Sequence, residues 1–449
     1  MEFKDLNLNK PLLNALSDLE LSSPTDIQEQ AFSTIMSGKD AVGIAQTGTG
    51  KTIAYLLPLL RMWKFTKDSH PRVLILVPTR ELTIQVKEEI DKLTTYMNVK
   101  SLAVYGGVNI KRNTAELSEG ADIIVATPGR LVDLLLNKAF NAKHINKLVI
   151  DEVDQMLILG FRSQLNTIFD LIPEKRQNLL FSATSTEEVD SLISTFFNKP
   201  QKITSAASGT PLDNITQAKY SLPNFYTKIN LLLELVKDNE EFKKVILFVN
   251  TKKTADLLYN RILPLFPDGI GLIHNNKTQN FRIDAIKSFD EGKYPILIAT
   301  DILARGIDLT NVSHVINFEI PEDPESYIHR IGRTGRAQQE GKTLSFVKKE
   351  ENDSMLSIEE LMDFNLPVIS LPLDLEISEE LLTEEVPSVS MPNMGLKNPL
   401  KKREVGDAFH EKNAKNVNIN ADEARLRKRR ARSIKMNKKK PKSRRNLGD

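Results

Sequence analysis

Cysteine is absent from the 449-residue chain, so disulfides and thiolate metal sites are both excluded. That absence suits a reducing cytosol. No apolar run reaches the roughly 18 residues that a membrane span needs. The N-terminal stretch "MEFKDLNLNKPLLNAL" lacks the apolar centre of a secretory signal. The expectation is a soluble, cytoplasmic chain with no membrane contact. Hydrophobic content of 40% and charged content of 27% are ordinary globular values. At this length one core is too few, and two domains with extra segments are expected.

Net charge is also small, at +2, but it is unevenly placed. Residues 401–449 hold 18 Lys or Arg against 6 Asp or Glu, a net of +12. The first 400 residues hold 43 against 53, a net of −10. A basic arm on an acidic body points to a polyanion such as nucleic acid, with a merely solubilising end as the alternative.

Short apolar runs are present throughout. "VLILVP" (73–78), "ADIIVATP" (121–128), "KLVIDE" (147–152) and "NLLFSAT" (178–184) read as strands buried on both faces. Between them, residues 80–93 and 161–172 place apolar side chains at helical spacing. Strand then helix, repeated, predicts a parallel α/β lobe with right-handed crossovers. The pattern lapses into small and polar residues near 200–214 and resumes with 244–251, 294–301 and 313–320. This gives an N-terminal domain at 1–205, a linker at 206–215, a second domain at 216–365 and an acidic, then basic, disordered extension at 366–449.

The chemistry concentrates at strand ends. "AVGIAQTGTGKT" runs from an apolar strand through Gly48 and Gly50 to Lys51 and Thr52. Small residues let backbone N–H groups approach a phosphate, and the following helix start adds a positive dipole end. Lys51 would reach the terminal phosphates, and the Thr52 hydroxyl would ligate magnesium. Ala45 stands where the common pattern has glycine. A second Gly-Lys-Thr, residues 341–343, precedes a strand and is assigned to a turn. In "LVIDEVD", Asp151, Glu152 and Asp154 allow a solvated turn, a helix start or a magnesium site. Paired with the lysine loop, Asp151 would hold magnesium and Glu152 would deprotonate the attacking water. In "YIHRIGRTGR" (327–336), Arg330, Arg333 and Arg336 recur every three residues. Such guanidinium groups suit phosphoryl oxygens, and a basic surface helix is the alternative.

"AQTGTGKT", "PTREL", "TPGR", "DEVD", "SAT", "ATDILARGID" and "HRIGRTGR" occur in the order of the DEAD-box RNA helicases. The chain resembles that family from Phe3 to about residue 350, most closely its bacterial RhlE-like branch. Val153 replaces the usual alanine of the acidic motif, and Glu20 and Asn275 replace usual glycines. The resemblance implies two tandem RecA-like parallel-sheet domains, ATP and Mg2+ as cofactors, and RNA as partner. The basic tail would add an extra RNA contact.

It also implies residue roles. Phe3, Gln28, Ala45, Gln46, Thr47, Gly48, Thr49, Gly50, Lys51, Thr52, Gly306 and Asp308 would hold the nucleotide, with Gln28 reading the adenine edge and Asp308 the ribose. Lys51, Asp151, Glu152, Arg333 and Arg336 would carry hydrolysis, and Thr52 and Asp151 the metal. Asp154 would link Ser182, Thr184 and His329 between lobes; His329 alone equally reads as a packing residue. RNA would be gripped by Thr79, Arg80, Gly107, Thr127, Arg130, Gln279, Arg282 and Thr300, which suit a sugar–phosphate backbone and read no bases. A DNA helicase and a non-catalytic RNA scaffold or annealer are the rival readings.

Overall fold

The computed structural model describes residues 1–45, 48–68, 70–204, 215–237, 241–266, 268–301, 309, 311–335, 340–383 and 385. The expected strands form and assemble into two parallel sheets. In the first lobe β1 (Ala41–Ile44), β2 (Val73–Leu76), β3 (Ser101–Val104), β4 (Ile123–Ala126), β5 (Lys147–Ile150), β6 (Gln177–Ser182) and β7 (Gln201–Thr204) lie in the order β3-β4-β2-β5-β6-β1-β7. In the second, β8 (Ile215–Ser221), β9 (Val245–Val249), β10 (Gly271–Ile273), β11 (Ile296–Thr300), β12 (His314–Asn317) and β13 (Gly341–Val347) follow the order β10-β11-β9-β12-β13-β8.

Strand side chains alternate between faces, and each sheet therefore divides its core in two. Val73 and Ile75 of β2, with Val149 of β5 and Phe181 of β6, pack on one side of the first sheet. Leu74, Leu76, Leu148, Ile150 and Leu180 pack on the other. In the second lobe Val245, Leu247 and Val249 face one cluster, while Ile246 and Phe248 face the opposite one. Helices cover both surfaces, which explains why these strands read as unbroken apolar runs. Each fully buried aliphatic side chain contributes roughly 1.5–3 kcal/mol, so the strands' alternation fixes their register firmly.

Three sequence expectations change. The linker set at 206–215 ends one residue early, because Ile215 is already the first residue of β8, paired with Gly341; residues 205–214 lie outside the described residues. The second Gly-Lys-Thr lies in a strand and not in a turn, since Gly341, Lys342 and Thr343 begin β13. The extension expected to be disordered from 366 is packed through its first part. Leu371, Leu375 and Leu382 lie against the second lobe's core. Lys219 N donates to Pro367 O and Ile369 N donates to Lys219 O, both at 2.9 Å. Glu385 accepts from Phe225 N at 3.0 Å and pairs with Lys348 at 2.8 Å. This strap covers β8, an edge strand whose unpaired backbone groups otherwise invite association. The basic segment 401–449 lies outside the described residues.

Candidate nucleotide site and interlobe contacts

Three neighbouring strands, β1, β5 and β6, deliver the lysine loop, the twin acids and Ser182 to one sheet edge, where open parallel sheets bind ligands. Gly48 and Gly50 adopt left-handed φ of 85° and 84°, and Gly50 opens the helix Lys51–Met62. A Cβ on Gly50 would lie 2.2 Å from Gln28 Nε2. The left-handed backbone favours glycine there, and a Cβ would also displace the Gln28 amide. Ala45 fits its place without glycine: it is buried, and its N–H donates to Ser182 O at 3.1 Å.

Lys51 Nζ stands 3.3 Å from Glu152 Oε1, both side chains buried. Glu152 reaches it from a left-handed backbone, φ 54°, a conformation that costs a non-glycine residue about 1–3 kcal/mol and clusters at functional sites. Among the described residues, four buried polar atoms here have no hydrogen-bond partner: Lys51 Nζ, Asp151 Oδ1, Glu152 Oε2 and Ser182 Oγ. Each such atom costs roughly 1–3 kcal/mol. Their grouping at one sheet edge marks a place prepared for a charged ligand. Burial first, then the neighbouring Glu152 charge, pushes Asp151 up to about 7, with Lys51 opposing the shift. A lone carboxylate oxygen held among hard donors fits a magnesium ion.

Two residues beyond the twin acids, Asp154 faces the second lobe. Its Oδ2 accepts from Thr184 Oγ1 at 3.2 Å and lies 3.5 Å from His329 Nε2. Burial opposes ionisation of Asp154, but the hydrogen bond and charge of His329, helped by Lys51, outweigh it and hold the carboxyl below its ordinary range. Gln155 Nε2 is 3.4 Å from the same histidine nitrogen. The expected link to Ser182 is not made, since Ser182 Oγ is buried and unpartnered. Of the two expected hydroxyls, that of Thr184, two residues beyond the end of β6, makes the contact.

The arginine helix separates into two jobs. Arg330 is buried, with Nε and Nη2 on the two oxygens of Asp301 at 2.5 and 2.8 Å, and it caps the Phe248 ring at 5.2 Å. It braces the second lobe. Arg333 is buried with Nε donating to His329 O at 3.2 Å. Arg336, Gly306, Asp308, Gln46 and Thr47 lie outside the described residues.

Several nucleotide and RNA assignments acquire further context. Phe3 is packed in the first lobe's apolar cluster, so its ring anchors the N-terminal segment and is not presented to a ligand. Gln28 already uses both ends of its amide, donating to Gly50 O at 3.2 Å and accepting from Thr25 N at 3.0 Å. Thr25 Oγ1 in turn donates to Thr49 O at 2.8 Å, so this motif grips the phosphate loop itself. Thr79 caps the helix Arg80–Leu93 through Leu82 N at 3.2 Å. Arg80 lies against Gly107, where a Cβ would stand 2.2 Å from Nη1. Arg130 braces the same loop through Asn113 Oδ1 and Val108 O at 2.7 and 2.8 Å. Thr127 precedes the helix Pro128–Leu136, and Thr300 ends β11.

Glu81 was not singled out by sequence reasoning. It is buried in the first lobe, yet accepts from Gln279 Nε2 of the second at 3.1 Å and pairs with Arg282 at 3.0 Å. In sequence it is only an acid in a helix's first turn, where the dipole already explains it.

A phosphate loop and twin acids on one parallel-sheet lobe, contacted by a histidine–arginine helix from another, is the arrangement of a two-lobed helicase motor. The comparisons agree. The DEAD/DEAH box helicase model matches residues 25–192, and the helicase conserved C-terminal domain matches residues 227–338. The ATP-dependent RNA helicase CshA of Limosilactobacillus reuteri is 37% identical over 86% of this chain and 76% of its own length. The ATP-dependent RNA helicase DeaD of Buchnera aphidicola is 37% identical over 83% of this chain, which spans 61% of that relative's length. S. cerevisiae Dbp5 bound to RNA and ADP BeF3 superimposes with a TM-score of 0.75 at 30% identity, covering 82% of this chain and 95% of that one. Mss116p bound to ssRNA and AMP-PNP gives 0.74 at 28%, covering 81% and 78%. The chain belongs to the DEAD/DEAH box helicase family.

Proposed function

We infer that the protein is an ATP-dependent RNA helicase that hydrolyses ATP on binding RNA, separating short duplexes or remodelling RNA–protein complexes. One observation carries this reading. The strand end that sets Asp151 and Glu152 beside Lys51 also sets Asp154 against His329 of the other lobe. Nucleotide chemistry and lobe contact thus share four consecutive residues.

In this mechanism Lys51 holds the terminal phosphates, and Glu152 takes the proton of the attacking water. Thr52 and Asp151 hold Mg2+, which when bound neutralises phosphate charge. Arg333 and Arg336 bring positive charge from the second lobe as the phosphoryl group leaves. Thr184, Asp154 and His329 transmit closure. Arg80, Gly107, Thr127, Arg130 and Thr79, with Gln279, Arg282 and Thr300 opposite, grip the RNA backbone. Loss of the γ-phosphate removes the differential affinity for the closed state.

The first domain is kept at 1–205, and the second is taken to begin with β8 at Ile215. The DEVD sequence is proposed as a working form of the acidic motif: Val153 is buried in the apolar cluster, where its two added methyls suit the surroundings. Placement in the RhlE-like branch rests on the motifs, while the relatives above carry DeaD and CshA names. A cytoplasmic location is supported by the lack of cysteine and by the absence, among the described residues, of any helix long and apolar enough to cross a membrane. The basic residues 401–449 are proposed as a second RNA contact; deleting them should weaken binding and flatten its salt dependence.

The deciding variant is Glu152→Gln. It should bind ATP and RNA while turnover falls roughly 10²–10⁴-fold, the scale of a lost general base. Unimpaired turnover refutes the assignment.

A further inference from the structure

Tyr55 lies one turn into the helix that follows the phosphate loop and is fully buried. Its ring packs on Phe181 of β6, with centroids 5.3 Å apart. Taken as sequence, it is one more aromatic on an apolar helix face. Its hydroxyl shows more. The phenol donates to Asp151 Oδ2 at 3.0 Å, and the Thr52 side chain lies close to the same phenol. Residues three apart share a helix face, which places Thr52 and Tyr55 together above the end of β5.

The consequence is asymmetric. Asp151 Oδ2 is engaged by Tyr55, while Oδ1 is buried with no partner. A carboxylate fixed through one oxygen has its other oxygen fixed in direction. A tyrosine phenol is un-ionised at neutral pH and serves as a neutral donor. Phenylalanine would fill the same space against Phe181 and would not donate to Asp151.

We propose that Tyr55 is a positioning residue whose hydroxyl holds Asp151 Oδ2 beside Thr52 and leaves Asp151 Oδ1 directed at a divalent cation. This rests on the reading above, in which Thr52 and Asp151 hold that cation. Partners behind a ligating group orient it, and their removal typically costs about 10–100-fold in metal affinity.

The test compares full-length wild type, Tyr55→Phe and Asp151→Asn. A fluorescent ATP analogue is titrated at Mg2+ concentrations from chelated to millimolar, below each variant's melting temperature. In Tyr55→Phe the Mg2+ concentration that half-tightens nucleotide binding rises about tenfold or more. Affinity in chelator is unchanged, and excess Mg2+ restores wild-type binding. A structural role alone would shift chelated and Mg2+-loaded binding together. A wild-type Mg2+ midpoint in Tyr55→Phe, beside a lost Mg2+ response in Asp151→Asn, overturns the role of Tyr55 and leaves the cation reading standing. A wild-type Mg2+ response in Asp151→Asn overturns the cation reading, and this proposal with it.

Discussion

His329 Nε2 of the second lobe lies 3.5 Å from Asp154 Oδ2 of the first, and both side chains are buried. A buried carboxylate is tolerated only when paired and hydrogen-bonded. The lobes therefore complete one another at this point. His329→Ala leaves Asp154 with Thr184 and the Gln155 N–H alone. RNA-stimulated ATP turnover should fall about tenfold or more, equivalent to the ~1.4 kcal/mol of one charge-assisted contact. ATP affinity without RNA should be retained. Turnover measured across an RNA titration checks this, and unchanged stimulation counts against the coupling role.

Glu81 supplies a second cross-lobe anchor through Gln279 and Arg282. Removing one partner of a buried ion pair leaves an uncompensated charge, at a cost of roughly 3–5 kcal/mol. Glu81→Gln should therefore open the RNA-free protein, seen as a larger radius of gyration in solution scattering. An unaltered scattering profile would show that the pair does not hold the empty lobes together.

The strap at 366–385 should stabilise the second lobe. Its three half-buried leucines contribute about 1 kcal/mol each, and Glu385 adds hydrogen bonds to Phe225 N and Leu382 N at 3.0 and 3.1 Å. Ending the chain at residue 365 should lower the second lobe's unfolding free energy by about 3 kcal/mol. Ending it after residue 387 should not. Denaturant melts of the two truncations make the comparison, and equal midpoints would dismiss the strap.

His314 starts β12, stacks on Phe242 with centroids 3.8 Å apart, and is lowered to about 4, chiefly by burial and then by the Lys342 charge. The folded state therefore holds this proton more weakly than the unfolded chain does. The neutral ring's contribution is complete above about pH 6.5 and is lost as pH falls from there towards 4. His314→Gln should flatten that acid-side loss in thermal melts between pH 7 and 4.5. A slope as steep as wild type would assign the sensitivity elsewhere.

Much of this was legible in the sequence, for specific reasons. Lys51, Asp151 and Glu152 sit at the ends of apolar strands, and parallel sheets gather such ends at one edge. The strands themselves declared their burial, since Val73–Leu76 and Val245–Val249 are apolar on both faces. Asp154 and His329 are 175 positions apart, and only the resemblance joined them before the fold did. Glu81 and Tyr55 were missed because each has a sufficient local explanation, a helix start and a core ring. The strap was missed because its leucines follow no strand or helix period and its acids resemble a solvated tail; Glu385 and Lys348 meet only through tertiary folding. Ser182 was over-read: its motif neighbours Thr184, and only the strand's end decides which hydroxyl reaches Asp154.

The central claim is that RNA gripped across the two lobes switches on ATP hydrolysis in the first. ATP turnover by the full chain, measured with single-stranded RNA and with DNA of equal length and sequence, tests it most directly. Strong stimulation by RNA and little by DNA is expected. Turnover indifferent to RNA, or raised equally by DNA, would contradict it.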